Sequence, residues 1–205
     1  ALGVSGPAVA ASAHAAPATE PGNHGHNDGG HGGGHGHRGD LAKAQRKAHH
    51  DIAGVSARLT QVTKRIQRAK ISAESKAAVA ANVAADQAAL DTLAAQVDAA
   101  VTVADLKPVF VALKAERVEN YNVTLALLRF SERIEADLDE ARASAADDPD
   151  TLAMLDEIEA VVRDVVDALL DITADAPPED LRGSENTLRL AQATLEALLD
   201  ALSHG

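Results

Sequence analysis

The stretch VENYNVTLALLRF, residues 118–130, places apolar side chains on more than one face of a helix. Val118, Tyr121, Leu125 and Leu128 make one stripe, while Val123, Leu127 and Phe130, continued by Ile134 and Leu138, make another. A helix that is apolar on two sides is normally sandwiched between partners. The segment therefore reads as the central helix of an all-α protein. Thr102-Val103-Ala104-Asp105 upstream resembles a capping box, and Pro108 falls within the first turn, where its missing N–H costs nothing. The spacing predicts one continuous helix over 105–146, with a length on the order of 60 Å at the usual rise per residue.

Working outward, each flanking segment carries a single seam. Ile52, Val55, Leu59, Val62 and Ile66 recur at 3-4-3-4 spacing and predict a helix over 40–70. Ser72 offers an N-cap to a helix over 72–101, where Val79, Val83, Leu90, Leu93, Val97 and Val101 keep the same rhythm and Asp86 stands at the one missed seam position. Half of residues 77–100 are alanine, which lets a facing helix approach closely but buries little area per residue. On the C-terminal side, Asp148 caps and Pro149 opens a helix over 149–173 with the seam Leu155, Ile158, Val162, Val165, Leu169 and Ile172. Pro177 and Pro178 stop it, and Ser184 is placed to cap a last helix over 184–203 with Leu188, Leu195, Leu198 and Leu202 on one face. Connections this short favour antiparallel neighbours. The expected fold is an elongated, up-and-down antiparallel bundle of four to five long helices with coiled-coil-like seams, preceded by a disordered arm.

Composition agrees. Of 205 residues, 98 are Ala, Glu, Lys, Leu or Arg, the mixture of long helices, whereas aromatic residues reach only 1 % and leave little bulky material for a broad core. A net charge of −12 argues against nucleic acid as a partner. The charge is also sorted: residues 38–70 hold nine Lys or Arg against two Asp, and residues 147–175 hold ten Asp or Glu against one Arg. Either the two helices pack side by side or each carries a solvated face, with docking of the basic helix on an anionic envelope surface as the functional alternative. The absence of cysteine excludes disulfides, thiolate zinc sites and cysteine nucleophiles.

The N-terminal ALGVSGPAVAASAHAAPA, residues 1–18, is a small apolar run ending in A-x-A-like triplets and reads as the remnant of a secretory signal peptide. No later run approaches the roughly 18 apolar residues that span a bilayer. Residues 19–39 hold nine of the fourteen glycines and no aliphatic side chain, so they cannot offset the entropy of ordering. The expectation is a flexible Gly/His arm on an exported protein, in the medium or at the cell envelope.

That arm carries His24, His26, His31, His35 and His37, and His49 and His50, next to Asp51, lie just beyond it. Neutral imidazoles separated by glycine can converge on Zn, Ni or Cu(II), with an affinity lowered by the ordering that binding requires. The spacing is not that of a structural zinc site, so the signal is compositional. Cleavage after Ala11 would expose Ser12-Ala13-His14, whose amine, amides and imidazole suit square-planar Cu(II) or Ni(II). Arg38-Gly39-Asp40 spells an adhesion tripeptide at a glycine-rich boundary. No Glu-x-x-His pair supports a di-metal carboxylate centre, and Glu116/Glu119 and Glu132/Glu135 read as solvated helix-surface pairs. Met154 and three aromatic residues do not make a haem pocket, and no phosphate loop, HExxH or nucleophile elbow is present. No catalytic set emerges, and no cofactor is required. A groove for a small apolar ligand between the third and fourth helices is a further possibility.

The stretch VTVADLKPVFVALKAERVENYNVTLALLRFSERIEADLDEA, following RAKISAESKAAVAANV, resembles uncharacterised secreted helical proteins of actinobacteria over about residues 41–146. The resemblance implies a signal peptide, two antiparallel helices joined at a Ser/Thr cap and a long third helix with a Tyr-containing centre. It implies no catalytic residues. The function expected is that of an exported, non-enzymatic binding or scaffold protein whose arm chelates a divalent metal. The alternative is a structural or partner-binding coiled coil whose arm is a spacer.

Overall fold

The computed structural model describes residues 35–145 and 148–204, so the expected signal remnant (including Ser12-Ala13-His14) and residues 19–34, with His24, His26 and His31, lie outside the described residues. Within them every regular element is helical: α1 His35–Arg68, α2 Ala73–Ala99, α3 Lys107–Ala115, α4 Glu119–Ser144, α5 Pro149–Leu170 and α6 Pro178–His204, with a 3₁₀ turn at Ala104–Leu106 leading into α3.

The α1 helix begins at His35, not near Asp40, so the backbone of the last arm residues is helical. Gly36 and Gly39 each disfavour this by about 1 kcal/mol relative to alanine, but adding turns to a long existing helix needs no new nucleus. The α1 seam Ile52, Val55, Leu59, Val62 and Ile66 is buried as expected. Ser72 caps α2, its hydroxyl accepting from the Ser75 amide at 3.0 Å. Gln45 donates to the Val97 and Ala100 carbonyls, His49 meets Asp98, and Ser56 donates to Gln87. Positions rise along α1 as they fall along α2, so these two helices run in opposite directions. Val79, Val83, Leu90 and Val97 are buried between them, but α2 ends at Ala99 and Val101 is 80 % exposed beyond it.

The expected single helix over 105–146 is interrupted. Glu116 takes an extended conformation (φ −63°, ψ 107°), and α4 starts afresh at Glu119. Neither Gly nor Pro marks the break. Its cause is tertiary: the Arg117 amide donates to Ala174 O at 2.7 Å in the α5–α6 connection, and the Asn120 amide donates to Arg117 O at 2.9 Å. Leaving the helix gives Arg117 N–H a partner outside it. Beyond the break α4 is central, packing against α1, α5 and α6. Both of its stripes are used: Val118, Tyr121, Leu125, Leu128, Leu127, Ile134 and Leu138 are buried, Phe130 packs partly buried against the core, and Val123 alone is exposed.

Asp148 caps α5, its carboxylate accepting from the Asp150 and Thr151 amides and the Thr151 hydroxyl. These bonds hold the Asp148 carboxyl below its usual range, the Thr151 hydroxyl contributing most. The α5 seam is buried from Leu155 to Leu169, but the helix stops at Leu170 and Ile172 is buried from the connection that follows. The last helix begins at Pro178 rather than at a Ser184 cap. Proline at a first helical position has no orphan N–H to lose, and Ser184, inside the helix, donates back to Asp180 O.

Candidate functional site

Three features of the described residues carry unusual chemistry: a buried polar joint, a basic hollow and an apolar groove. The joint forms where the α3–α4 break meets the α5–α6 connection. Asp86, the odd residue in the α2 seam, accepts from the Tyr121 hydroxyl at 2.5 Å and the Ala174 amide at 3.0 Å. Asn82 donates to the Leu170 and Ile172 carbonyls, and Asn120 to those of Thr173, Ala174 and Ala176. A connection with no regular structure would otherwise leave these backbone groups unpaired. Side chains of α2 and α4 pair them instead. Burial, then the bond to Asp86, pushes the Tyr121 hydroxyl well above its ordinary pKa.

Glu116 lies half-buried in the same joint, not on the solvated helix surface expected of it. Its Oε2 is buried without a hydrogen-bond partner. Burial, followed by the Asp86 and Asp175 carboxylates and opposed by Arg58, raises its pKa to about 7. Glu119 does meet solvent and pairs with Arg58 at 3.1 Å. Glu132 accepts from the Ser72 amide at 2.5 Å, and Glu135 is raised by burial and then by Glu132, Glu159 and Asp139. Signals for this joint were present only in part. Asp86 was visible as a break in the seam, whereas Glu116 has no local mark, because its burial comes from residues far away in the chain.

His35 and His37 belong to the first turns of α1 by backbone. His49 bonds Asp98 through Nε2 at 3.0 Å, and exposed His50 borders a shallow hollow with Lys47, Arg58 and Phe110, the Lys47 ammonium lying 5.3 Å from the Phe110 ring centre. Among the described residues no group of three or more His, Asp or Glu gathers to hold a metal. His49 and His50 are therefore not brought together with a third ligand.

Arg65, Arg68, Lys70 and Arg129 surround a second hollow at the C-terminal end of α1, with Arg65 donating to Asn122 at 2.5 Å. Among the described residues the ion pairs of α1 join it to itself, to α2 and to α4, and none joins it to α5. The basic and acidic helices each keep a solvated face.

The groove runs along α5 and α6. It encloses about 540 Å³ and is lined by Met154, Ile158 and Val161 from α5 and by Thr187, Leu190, Thr194, Ala197 and Ala201 from α6. Met154, Val161 and Leu190 are 46 %, 42 % and 70 % exposed, while Leu155, Val162, Leu188 and Leu195 on the inner sides of the same helices are buried. Thr187, Leu190, Thr194, Ala197 and Ala201 recur at 3-4-3-4 spacing, so the lip of α6 is a second seam on which no helix of the described residues packs. Glu157 is the only charged lining residue. The groove lies between the last two helices, not between the third and fourth as expected of a small-ligand site. No helix of the described residues is long and apolar enough to cross a membrane. No protein-family model, curated protein or solved structure matches the chain.

Proposed function

We propose that this chain is an exported, non-enzymatic helical scaffold that binds another polypeptide through the α5–α6 groove. The observation that carries the reading is the exposed second seam. Water-facing residues of a surface helix are normally polar, and a contiguous apolar edge marks an interaction surface. The seven-residue rhythm of that edge matches the knobs and holes of a facing helix. An up-and-down antiparallel arrangement fits the opposed α1–α2 pairs and the short connections, and a polar joint pinning the α5–α6 connection to α2 and α4 would keep the groove rigid. Export is supported by the small-residue run of 1–18, and local chelation of Zn, Ni or Cu by the five arm histidines and their glycine spacers.

Co-purification from the producing cells tests the main reading. A partner held at fixed stoichiometry by the wild type and lost by Leu190→Glu, with helix content unchanged, is the expected result. The same partner set in both sinks the proposal. Calorimetric titration of Zn, Ni and Cu into the full chain and into a chain lacking residues 19–39 tests the arm. Micromolar binding lost with the deletion is expected, and no binding at neutral pH removes the metal role.

A further inference from the structure

The edge of the groove carries charge of one sign in a regular pattern. Asp150, Glu157 and Asp164 recur every seven residues along α5 beside Met154 and Val161, and Asp171 continues the series at the helix C-cap. All four are exposed, and none enters an ion pair with a described residue. The neighbouring carboxylates behave differently: Asp156 and Glu159, on another side of the same helix, are taken up by Arg142, and Glu159 also by Arg163. On the α6 side the lip is Thr, Leu and Ala, and no Lys or Arg lines the hollow. In helix pairs, residues flanking an apolar seam choose the partner by charge.

We infer that the groove receives an amphipathic helix of another protein that presents a seven-residue apolar edge flanked by Lys or Arg. The inference rests on the proposed role of the groove and adds the chemistry of the partner. The open stretch runs from Met154 to Val161 on α5 and from Thr187 to Ala201 on α6, and its longer side measures on the order of 20 Å, which is covered by a partner of two heptads or more. A second copy of this face is a poor occupant, because it brings carboxylates and no Lys or Arg to the acidic edge, and like charges in register disfavour pairing. The basic α1 of a second copy is no better, since its apolar seam is already covered by α2 and the core.

The test uses the full chain and two synthetic helical peptides of three heptads, identical in their Leu/Ala seam and flanked by Lys in one and Glu in the other. Fluorescence anisotropy should show the Lys peptide binding at least about ten-fold tighter than the Glu peptide at ~50 mM salt. Because the charges are exposed, the gap should shrink at ~500 mM. The triple variant Asp150→Asn, Glu157→Gln, Asp164→Asn should close the gap while keeping the apolar contribution, and Leu190→Glu should remove binding of both peptides with an unchanged circular dichroism spectrum. Equal binding of the two peptides, or tighter binding of the Glu peptide, overturns the basic partner while leaving the groove reading in place. Binding of neither peptide, or binding indifferent to Leu190→Glu, overturns both. A dimer of the chain alone in light scattering, dispersed by Leu190→Glu, assigns the groove to a second copy and overturns the inference.

Discussion

In the α1–α2 hairpin the seam residues Ile52, Val55, Leu59, Val62 and Ile66 meet Val79, Val83, Leu90 and Val97, and what remains outside is charged, polar or alanine. In the α5–α6 hairpin Leu155, Ile158, Val162 and Val165 are buried with Leu188 and Leu195 in the same way, yet Met154, Val161 and Leu190 stay in water. Both hairpins follow one helical period. They differ in how wide an apolar arc each helix carries, since an arc wider than the contact with its neighbours leaves an edge over. Among the described residues the α1–α2 pair is saturated by the chain's own packing, whereas α5–α6 keeps an exposed apolar edge.

The contrast is broken most strongly by deleting a side chain from a saturated seam. Leu90 is fully buried, so Leu90→Ala should cost about 2–5 kcal/mol, the range for large-to-small changes in a core, measured by urea denaturation. A smaller loss is expected at the joint that ties α2 to the α5–α6 connection. Asp86→Ala strands the Tyr121 hydroxyl and the Ala174 amide, and a buried donor without an acceptor costs about 1–3 kcal/mol. Amide exchange across 171–177 should speed up in that variant and stay unchanged in α1.

Glu116 sharpens the comparison through pH. Its carboxyl binds a proton more tightly in the folded chain, at a pKa of about 7, than in the unfolded one near 4.5. The folded state is therefore favoured by protonation, and stability contributed in this way is full below about 4.5 and declines as pH rises to about 7. Glu116→Gln should flatten that slope and make the protein more stable than wild type at pH 8, by on the order of 1 kcal/mol after solvent screening. Thermal midpoints at pH 5 and 8 measure it, and an unchanged slope would exclude Glu116 as its source. The smallest effect belongs to the open edge: Leu190→Ala should change stability by no more than about 0.5 kcal/mol, as for surface positions generally, against the loss at Leu90. A large loss there would mean that Leu190 is already packed.

The parts that could be read from the chain are those set by local periodicity and capping. The α1, α2 and α5 seams, the Ser72 and Asp148 caps and the two-sided character of residues 118–138 follow from spacing alone, because a 3.6-residue period and a short polar side chain at a helix start act within one or two turns. Asp86 was legible as an interruption but not as an acceptor. The break at Glu116–Val118 was not legible, since Asn120 and Arg117 find their acceptors in carbonyls some fifty-five residues away. The start of α6 at Pro178 rather than Ser184 is not fixed locally, because both residues are good openers and local preference does not rank them.

What the sequence determines by itself is an all-α chain, the positions of most helices, the faces they bury and the sorting of basic and acidic residues between its two ends. Tertiary structure alone decides that the middle helix splits in two, that Glu116 is half-buried near the Asp86 and Asp175 carboxylates, and that, among the described residues, one of two apolar edges on α5 and α6 is left open. The reason is physical. A periodic pattern states how many apolar residues a helix offers, but only the placement of its neighbours settles how many of them are covered.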